Sequence, residues 1–160
     1  MSTSIGDELR AKLRDAVGSE NTTVGVEVEG VSVAVDVEHC ERYAVGVRGI
    51  QVAPAQPCEN IHETAERVAR GVDVIDPLHV VEVDAREGQA ILRSAEPEAD
   101  EEGVTYWEAT VKPRGTAINR YHKSHAEPDR EVVVEPLAHR EAGRLVDQVA
   151  DALRGNKDDS

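Results

Sequence analysis

The sequence predicts a single α+β domain in which a twisted antiparallel sheet, arranged in meanders, packs against three helices. Two observations lead to this fold class. The chain has 24 valines but only 7 leucines, 6 isoleucines and no phenylalanine, and valine favours strands. Several segments alternate apolar and polar residues, whereas only three follow the 3.6-residue period of a helix. Three helices are too few to connect successive parallel strands, so the sheet is predicted to be antiparallel.

The first half is predicted to contain a helix, three strands and a second helix. Residues 4–18 have an apolar helical face, with Ser4 as N-cap. Alternating valines on both sides of Glu29-Gly30 predict a hairpin. A third strand, 43–53, is expected to bury Tyr43 with its valines and to change phase at a bulge near Gly49. A second helix then follows its cap, Asn60.

The second half is predicted to be mostly strand. A hairpin is expected around Arg86-Glu87-Gly88, and an acidic, mobile loop at 96–103. The remaining predictions are a strand at 104–112, its partner at 115–122, a short strand at 130–136, a helix that begins near Pro136 and runs to 155, and a disordered tail at 156–160. The single domain is therefore placed at residues 1–155.

The order of these elements resembles that of small dimeric secretion chaperones, which set helices around a twisted antiparallel sheet. The likeness lies in element order alone, and no sequence motif accompanies it, so no family is assigned. It implies a chaperone-like structural homodimer as one possible role. A homodimer is also expected on other grounds, because three helices are too few to cover the apolar surface of so many valine-rich strands.

The chain is strongly acidic, with a formal net charge of −14 and only 4 lysines beside 14 arginines. This balance argues against nucleic acid and anionic membranes as partners. It is typical of proteins from a high-salt, halophilic cytosol, although a GC-rich genome also favours arginine, valine and alanine. If the acidity is salt adaptation, the circular dichroism spectrum should change from unfolded to folded between dilute buffer and molar KCl. An unchanged spectrum would rule that explanation out.

Nothing in the sequence predicts secretion or membrane insertion. The N-terminal segment lacks the apolar core of a signal peptide, and no stretch approaches 18 uncharged apolar residues. The expected location is the cytoplasm, with Cys40 and Cys58 as free thiols. We find no P-loop, GxGxxG or GxSxG motif, so no cofactor is predicted.

One segment departs from the acidity of the chain. No acid occurs between Ala109 and Ala126, where the sequence places four cations, two histidines and a tyrosine. The predicted function is a non-catalytic binding or adaptor domain that engages another protein, or an anionic group, through this segment. The predicted binding residues are Lys112, Arg114, Arg120, Tyr121, His122, Lys123 and His125. The alternative is that these cations pair with the acidic 96–103 segment or with a second subunit.

The two histidines of this segment allow a different function. His122 and His125 are three residues apart and could share a metal ion, which would make the chain a small metal-assisted enzyme. A second ligand set would combine His39-Cys40 with Cys58 and His62 in a Cys2His2 site. No other local ligand completes the His122–His125 set, and the Cys2His2 spacing is unlike that of any standard zinc module. Turn residues at Glu127-Pro128-Asp129 favour a polar hairpin tip around the histidines.

Overall fold

A computed structural model describes residues 3–155 of the chain. Its three helices are α1 (Ile5–Asp15), α2 (Ile61–Gly71) and α3 (His139–Arg154). Its ten strands are β1 (Glu20–Val28), β2 (Val31–Cys40), β3 (Ala44–Ala53), β4 (Leu78–Asp84), β5 (Gln89–Ser94), β6 (Glu98–Ala99), β7 (Gly103–Lys112), β8 (Gly115–Ser124), β9 (Glu131–Val133) and β10 (Glu135–Ala138). The single α+β domain with an antiparallel sheet is thus confirmed.

All ten strands join one antiparallel sheet. Its main path runs β1-β2-β3-β8-β7-β5-β4, while β10 pairs with β3, β6 with β7 and β9 with β8. α1 packs on β1 and β2, α3 on β3 and β10, and α2 on β4, β5 and β7. Alternation along each strand turns one set of side chains, mostly valines, towards these helices. The other set lies on the opposite side of the sheet, which none of the three described helices covers and which we name the helix-free face.

The valine-rich face is therefore covered within one chain. The only large hydrophobic side chains exposed in residues 3–155 are Val17, Tyr43, Val81, Val83 and Val132. Residues 3–155 accordingly lack the exposed apolar sheet surface from which the homodimer was expected. Dimerisation stays a prediction, but exposed apolar sheet surface no longer supports it.

The first hairpin forms as the sequence predicts. Glu29 and Gly30 both have positive φ, 52° and 85°, which suits a tight turn between two right-twisted strands. The predicted phase change in β3 also occurs. Pairing with β2 shifts from Asp36–Gly49 to Val37–Val47, so that Arg48 is left out of the ladder next to the predicted Gly49.

The sheet forks between β3 and β8. These strands pair only from Ile50–Ile118 to Val52–Thr116 and then separate. The chain from 131 to 138 fills the gap: β9 runs along β8 towards the fork, and β10 runs back along β3. At the apex the Asn119 side-chain amide donates to the Arg48 carbonyl, 3.1 Å away. A Cβ on Gly49 would lie 2.6 Å from that amide, so glycine allows the close approach.

Three sequence expectations need correction. The last helix begins at His139, because Leu137 and Ala138 instead pair with β3 as part of β10. Tyr43 precedes β3 and is 75% exposed, so it does not join the buried face. Two residues of the acidic 96–103 segment form β6 against β7. The predicted tail, 156–160, lies outside the described residues.

Within residues 3–155 no helix has the length and apolar character needed to cross a membrane.

Candidate functional site

The basic segment becomes one side of a long hairpin. Lys112 ends β7, Arg114 lies in the turn, and the other predicted binding residues up to Lys123 lie on β8, with His125 just beyond it. A ten-residue strand is about 30 Å long. Lys112 and Arg114 are therefore far from His122 and His125, and the segment does not form one surface.

Arg120 faces the helix side of the sheet, where it is neutralised by its own chain. Its side chain is only 12% exposed and lies 5.6 Å from the centre of the Trp107 ring. Its two terminal nitrogens are each 3.3 Å from a carboxylate, one of Glu98 and one of Glu135. Burial raises the pKa of Glu135, against the opposing effect of Arg120. Glu98 belongs to the acidic 96–103 segment, so Arg120 forms the ion pair with that segment that the sequence offered as the alternative to partner binding.

His122 and His125 line a recess of about 430 Å³ at the end of β8. His122 Nδ1 is 2.9 Å from the Thr105 hydroxyl. Five acidic residues line the same recess: Glu101, Glu102, Glu127, Asp129 and Glu131. Such a lining repels anions. The predicted binding of an anionic group by the basic segment therefore finds no support in this recess. No three His, Cys, Asp or Glu side chains in the described part of the chain are placed to hold a metal ion.

Tyr121 and Lys123 alternate to the helix-free face. The Lys123 ammonium donates to the backbone carbonyls of Ser124 and Glu127, so the lysine is held against the loop that follows β8. Tyr121 lies directly across from Tyr106 on β7, with 6.1 Å between ring centres. Of the predicted binding residues, Tyr121 is the one that joins a cluster of interacting side chains with residues of other strands.

Glu108, beside the tyrosines on the helix-free face, binds two arginines. Its side chain is only 5% exposed. The carboxylate accepts a bidentate pair of hydrogen bonds from Arg130, at 2.9 and 2.8 Å, and a third hydrogen bond from Arg93 Nε at 2.9 Å. Arg130 also donates to the Tyr106 hydroxyl and stacks 3.7 Å above the Tyr121 ring. We name Arg93, Tyr106, Glu108, Tyr121, Arg130 and the neighbouring Val132 the tyrosine–arginine patch.

Opposing effects set the ionisation of Glu108. Burial alone would raise its pKa, but the hydrogen bonds and charges of Arg130 and Arg93 outweigh burial and hold the pKa below its usual value. The carboxylate is therefore charged at neutral pH, and Arg130 stays protonated beside it. Arg130 is therefore held in one orientation: the edge of its guanidinium is hydrogen-bonded to Glu108, and the face stacks on the Tyr121 ring.

Sequence reasoning did not single out Arg93, Tyr106, Glu108 or Arg130. The alternation of β7 does contain a partial signal, because an inward Trp107 places Tyr106 and Glu108 together on the other face. The partners of Glu108 cannot be read from that alternation. Arg93 is 15 residues away and Arg130 22 residues away, and both contacts depend on how the strands and the loop before β9 are arranged.

The cysteine candidates lie apart from each other. Cys40 donates to the Leu13 carbonyl and lies 3.9 Å from His139 Nε2 at the start of α3, while Cys58 lies against the Leu153 carbonyl near its end. α3 is about 24 Å long, so neither a disulfide nor a shared Cys2His2 site is compatible with this fold. Both thiols are free, and burial raises the pKa of Cys40.

No protein-family model, no curated protein and no solved structure matches this chain.

Proposed function

We propose that this chain is a non-catalytic binding module that docks another protein on its helix-free sheet face, through the tyrosine–arginine patch. Tyr121 and Lys123 are the contributions of the basic segment to this surface. The observation that carries the proposal is Arg130, which is held by a buried carboxylate and stacked on Tyr121 while its side chain remains 35% exposed.

The composition and rigidity of the patch support docking of a protein. Tyrosine and arginine dominate the residues that contribute most to protein–protein affinity. Ordering a free arginine side chain on binding costs about 0.5–1.5 kcal/mol, and in Arg130 much of that ordering is already present. Val132 pairs with Tyr121 across the β8–β9 ladder and is 48% exposed, which adds an apolar contact beside the ring.

The charge of the patch indicates the chemistry of the partner. Arg93, Arg130 and the adjacent Lys123 outnumber the single carboxylate of Glu108, although the chain as a whole carries −14. A cationic patch on an acidic protein attracts carboxylates and orients the encounter. The partner is therefore expected to be a protein surface that presents acidic side chains.

The test compares two tyrosines of the same chain. The partner is first identified by cross-linking, through a photoreactive residue at position 132, in a lysate of the source cells, and its affinity is then measured by calorimetry. Tyr121→Ala is expected to weaken binding by about tenfold or more, because it removes a central aromatic contact and the support of Arg130. Tyr43→Ala, which changes an exposed tyrosine outside the patch, should leave the affinity unchanged.

A second variant separates docking from folding. Val132→Asp adds a carboxylate to an exposed strand position and should weaken the same complex while the circular dichroism spectrum stays that of the unmodified chain. Equal affinity of Val132→Asp, Tyr121→Ala and the unmodified chain would show that the partner docks elsewhere.

A further inference from the structure

We infer that the partner seated on the helix-free face is a second copy of this chain, with the two sheets packed face to face around a two-fold axis that runs along β3. The inference rests on the proposed function, since it names the occupant of the same face. This homodimer would form through the polar, helix-free face of the sheet, whereas the one expected from the sequence would form through exposed valines.

The centre of the helix-free face carries no charged residue. A single row of paired residues crosses six strands in the order Gly25, Ala34, Gln51, Ala117, Thr110 and Ile91. Charged residues make up 31% of the chain, yet none occurs in this row. Short side chains let two sheets approach to the usual separation of about 10 Å, which long charged side chains at the same positions would prevent.

The row matches itself under the proposed symmetry. β2 and β8 lie on either side of β3, and β1 and β7 lie one strand further out. A two-fold axis along β3 therefore places Ala34 of one copy over Ala117 of the other, and Gly25 over Thr110. Gln51 meets its own copy on the axis, where two side-chain amides can donate to and accept from each other.

Charges beside the row are complementary under the same axis. Glu27 on β1 pairs with Ser32, which pairs with Ala53 of β3. Lys112 on β7 pairs with Gly115, which lies beside Ala53 from the other direction. The two charges are thus level with each other on opposite sides of β3. In the dimer each Glu27 comes to face Lys112 of the other copy, which makes two equivalent ion pairs.

The overlapping area is large enough for a specific complex. The overlap is five strands wide: it comprises β1, β2, β3, β8 and β7 up to the fork, and β1, β2, β3, β10 and β9 beyond it. With a strand spacing of about 4.8 Å and about seven residues per strand, they cover about 550 Å² on each copy, or about 1,100 Å² in total. This total buried area exceeds the value of about 1,000 Å² that is typical of the smallest specific protein–protein interfaces.

The experiment is light scattering and sedimentation equilibrium on the full chain, at one salt concentration at which it is folded. The unmodified chain should be a dimer at micromolar concentration. Ala117→Arg places a long cation in the centre of the face and should give a monomer with an unchanged circular dichroism spectrum. Ala11→Arg, on an exposed position of α1 on the opposite side, should remain a dimer.

A charge exchange tests the arrangement of the two copies. Glu27→Lys and Lys112→Glu should each raise the dimer dissociation constant by about tenfold, since each places like charges together twice. The double variant should restore the original value, and a role of either residue in folding alone would not produce that recovery. Independent, additive effects of the two changes would overturn the proposed axis.

The outcomes distinguish this inference from the proposed function. An unmodified chain that is monomeric, but still binds another protein in a Tyr121-dependent manner, would overturn the second copy and leave the binding function standing. A dimer that persists in Ala117→Arg would also overturn the inference. A monomer without any Tyr121-dependent partner would overturn both.

Discussion

Arg130→Ala is expected to lower the free energy of unfolding by about 3 kcal/mol. The substitution removes two of the three hydrogen bonds to Glu108 and leaves a carboxylate that is 5% exposed with Arg93 as its remaining charged partner. Removing one member of a buried ion pair costs about 3–5 kcal/mol, mainly because the other charge stays buried without compensation. The lower end applies here, since Arg93 remains.

Urea unfolding at neutral pH measures this loss, and Arg144→Ala provides the matched control. Arg144 pairs with Asp73 at 3.1 Å, but both side chains are about two-thirds exposed. A surface pair of this kind contributes about 0–1 kcal/mol. The double variant Glu108→Gln with Arg130→Ala should recover part of the loss, because no unpaired charge remains. Equal losses in Arg130→Ala and Arg144→Ala would mean that Glu108 is solvated despite its position.

The same cluster gives a pH dependence with a definite sign. The pKa of Glu108 is lower in the folded chain than in the unfolded chain, where it is about 4.3. Glu108 therefore contributes stability at every pH above about 4.3, and this contribution is lost as the pH falls through the lower, folded-state value. In Glu108→Gln this part of the acid destabilisation should be missing from the urea midpoints.

Local signals in the sequence were sufficient for most of the elements. Valines with a period of two define β1, β2 and β3, and Glu29-Gly30 supplies the positive φ angles of the first turn. Ser4 and Asn60 accept hydrogen bonds from the amides of Asp7 and Glu63, as expected of N-caps. Each of these features depends on residues within a few positions of each other, which is why a single sequence reveals them.

The fork in the sheet could not be predicted in this way. It requires that β3 and β8, about 65 residues apart, pair over three residues and then separate to admit the chain from 131 to 138. Leu137 and Ala138 continue the apolar pattern of α3, so the sequence favours helix, and only the ladder to β3 makes them strand. Long-range pairing here overrides local periodicity.

In the candidate site, too, the sequence predicts the features that depend on one strand and misses those that depend on contacts between distant segments. Alternation correctly separates Arg120 and His122 from Tyr121, because it is a property of β8 alone. Counting charge along 112–125 does not reveal that Glu98 and Glu135 flank Arg120, or that five acids surround the histidines. The electrostatics of a strand depend on its neighbours in space, and in an acidic chain those neighbours are often carboxylates.

Gly6→Ala is expected to destabilise the chain by about 2–3 kcal/mol, although alanine is the better helix former. α1 crosses α3 at Gly6 and Gly143, and a Cβ built on Gly6 would overlap the Gly143 carbonyl oxygen and the Asp147 carboxylate. That carboxylate accepts hydrogen bonds from the Gly6 amide at 2.8 Å and the Ser4 hydroxyl at 3.1 Å. Alanine gains about 1 kcal/mol in helix propensity, but separating the helices costs more, because it breaks these bonds and opens the packed contact.

Gly71→Ala is the matched control. Gly71 is the last residue of α2, and a Cβ there meets nothing within 4 Å, so the same substitution should be neutral or stabilise by up to about 1 kcal/mol. The urea midpoint should therefore fall in Gly6→Ala and should rise or stay unchanged in Gly71→Ala. If Gly6→Ala also raised the midpoint, α1 and α3 would have to be able to separate without loss. The helix layer would then be loosely held, and the sheet alone would account for the stability of the domain.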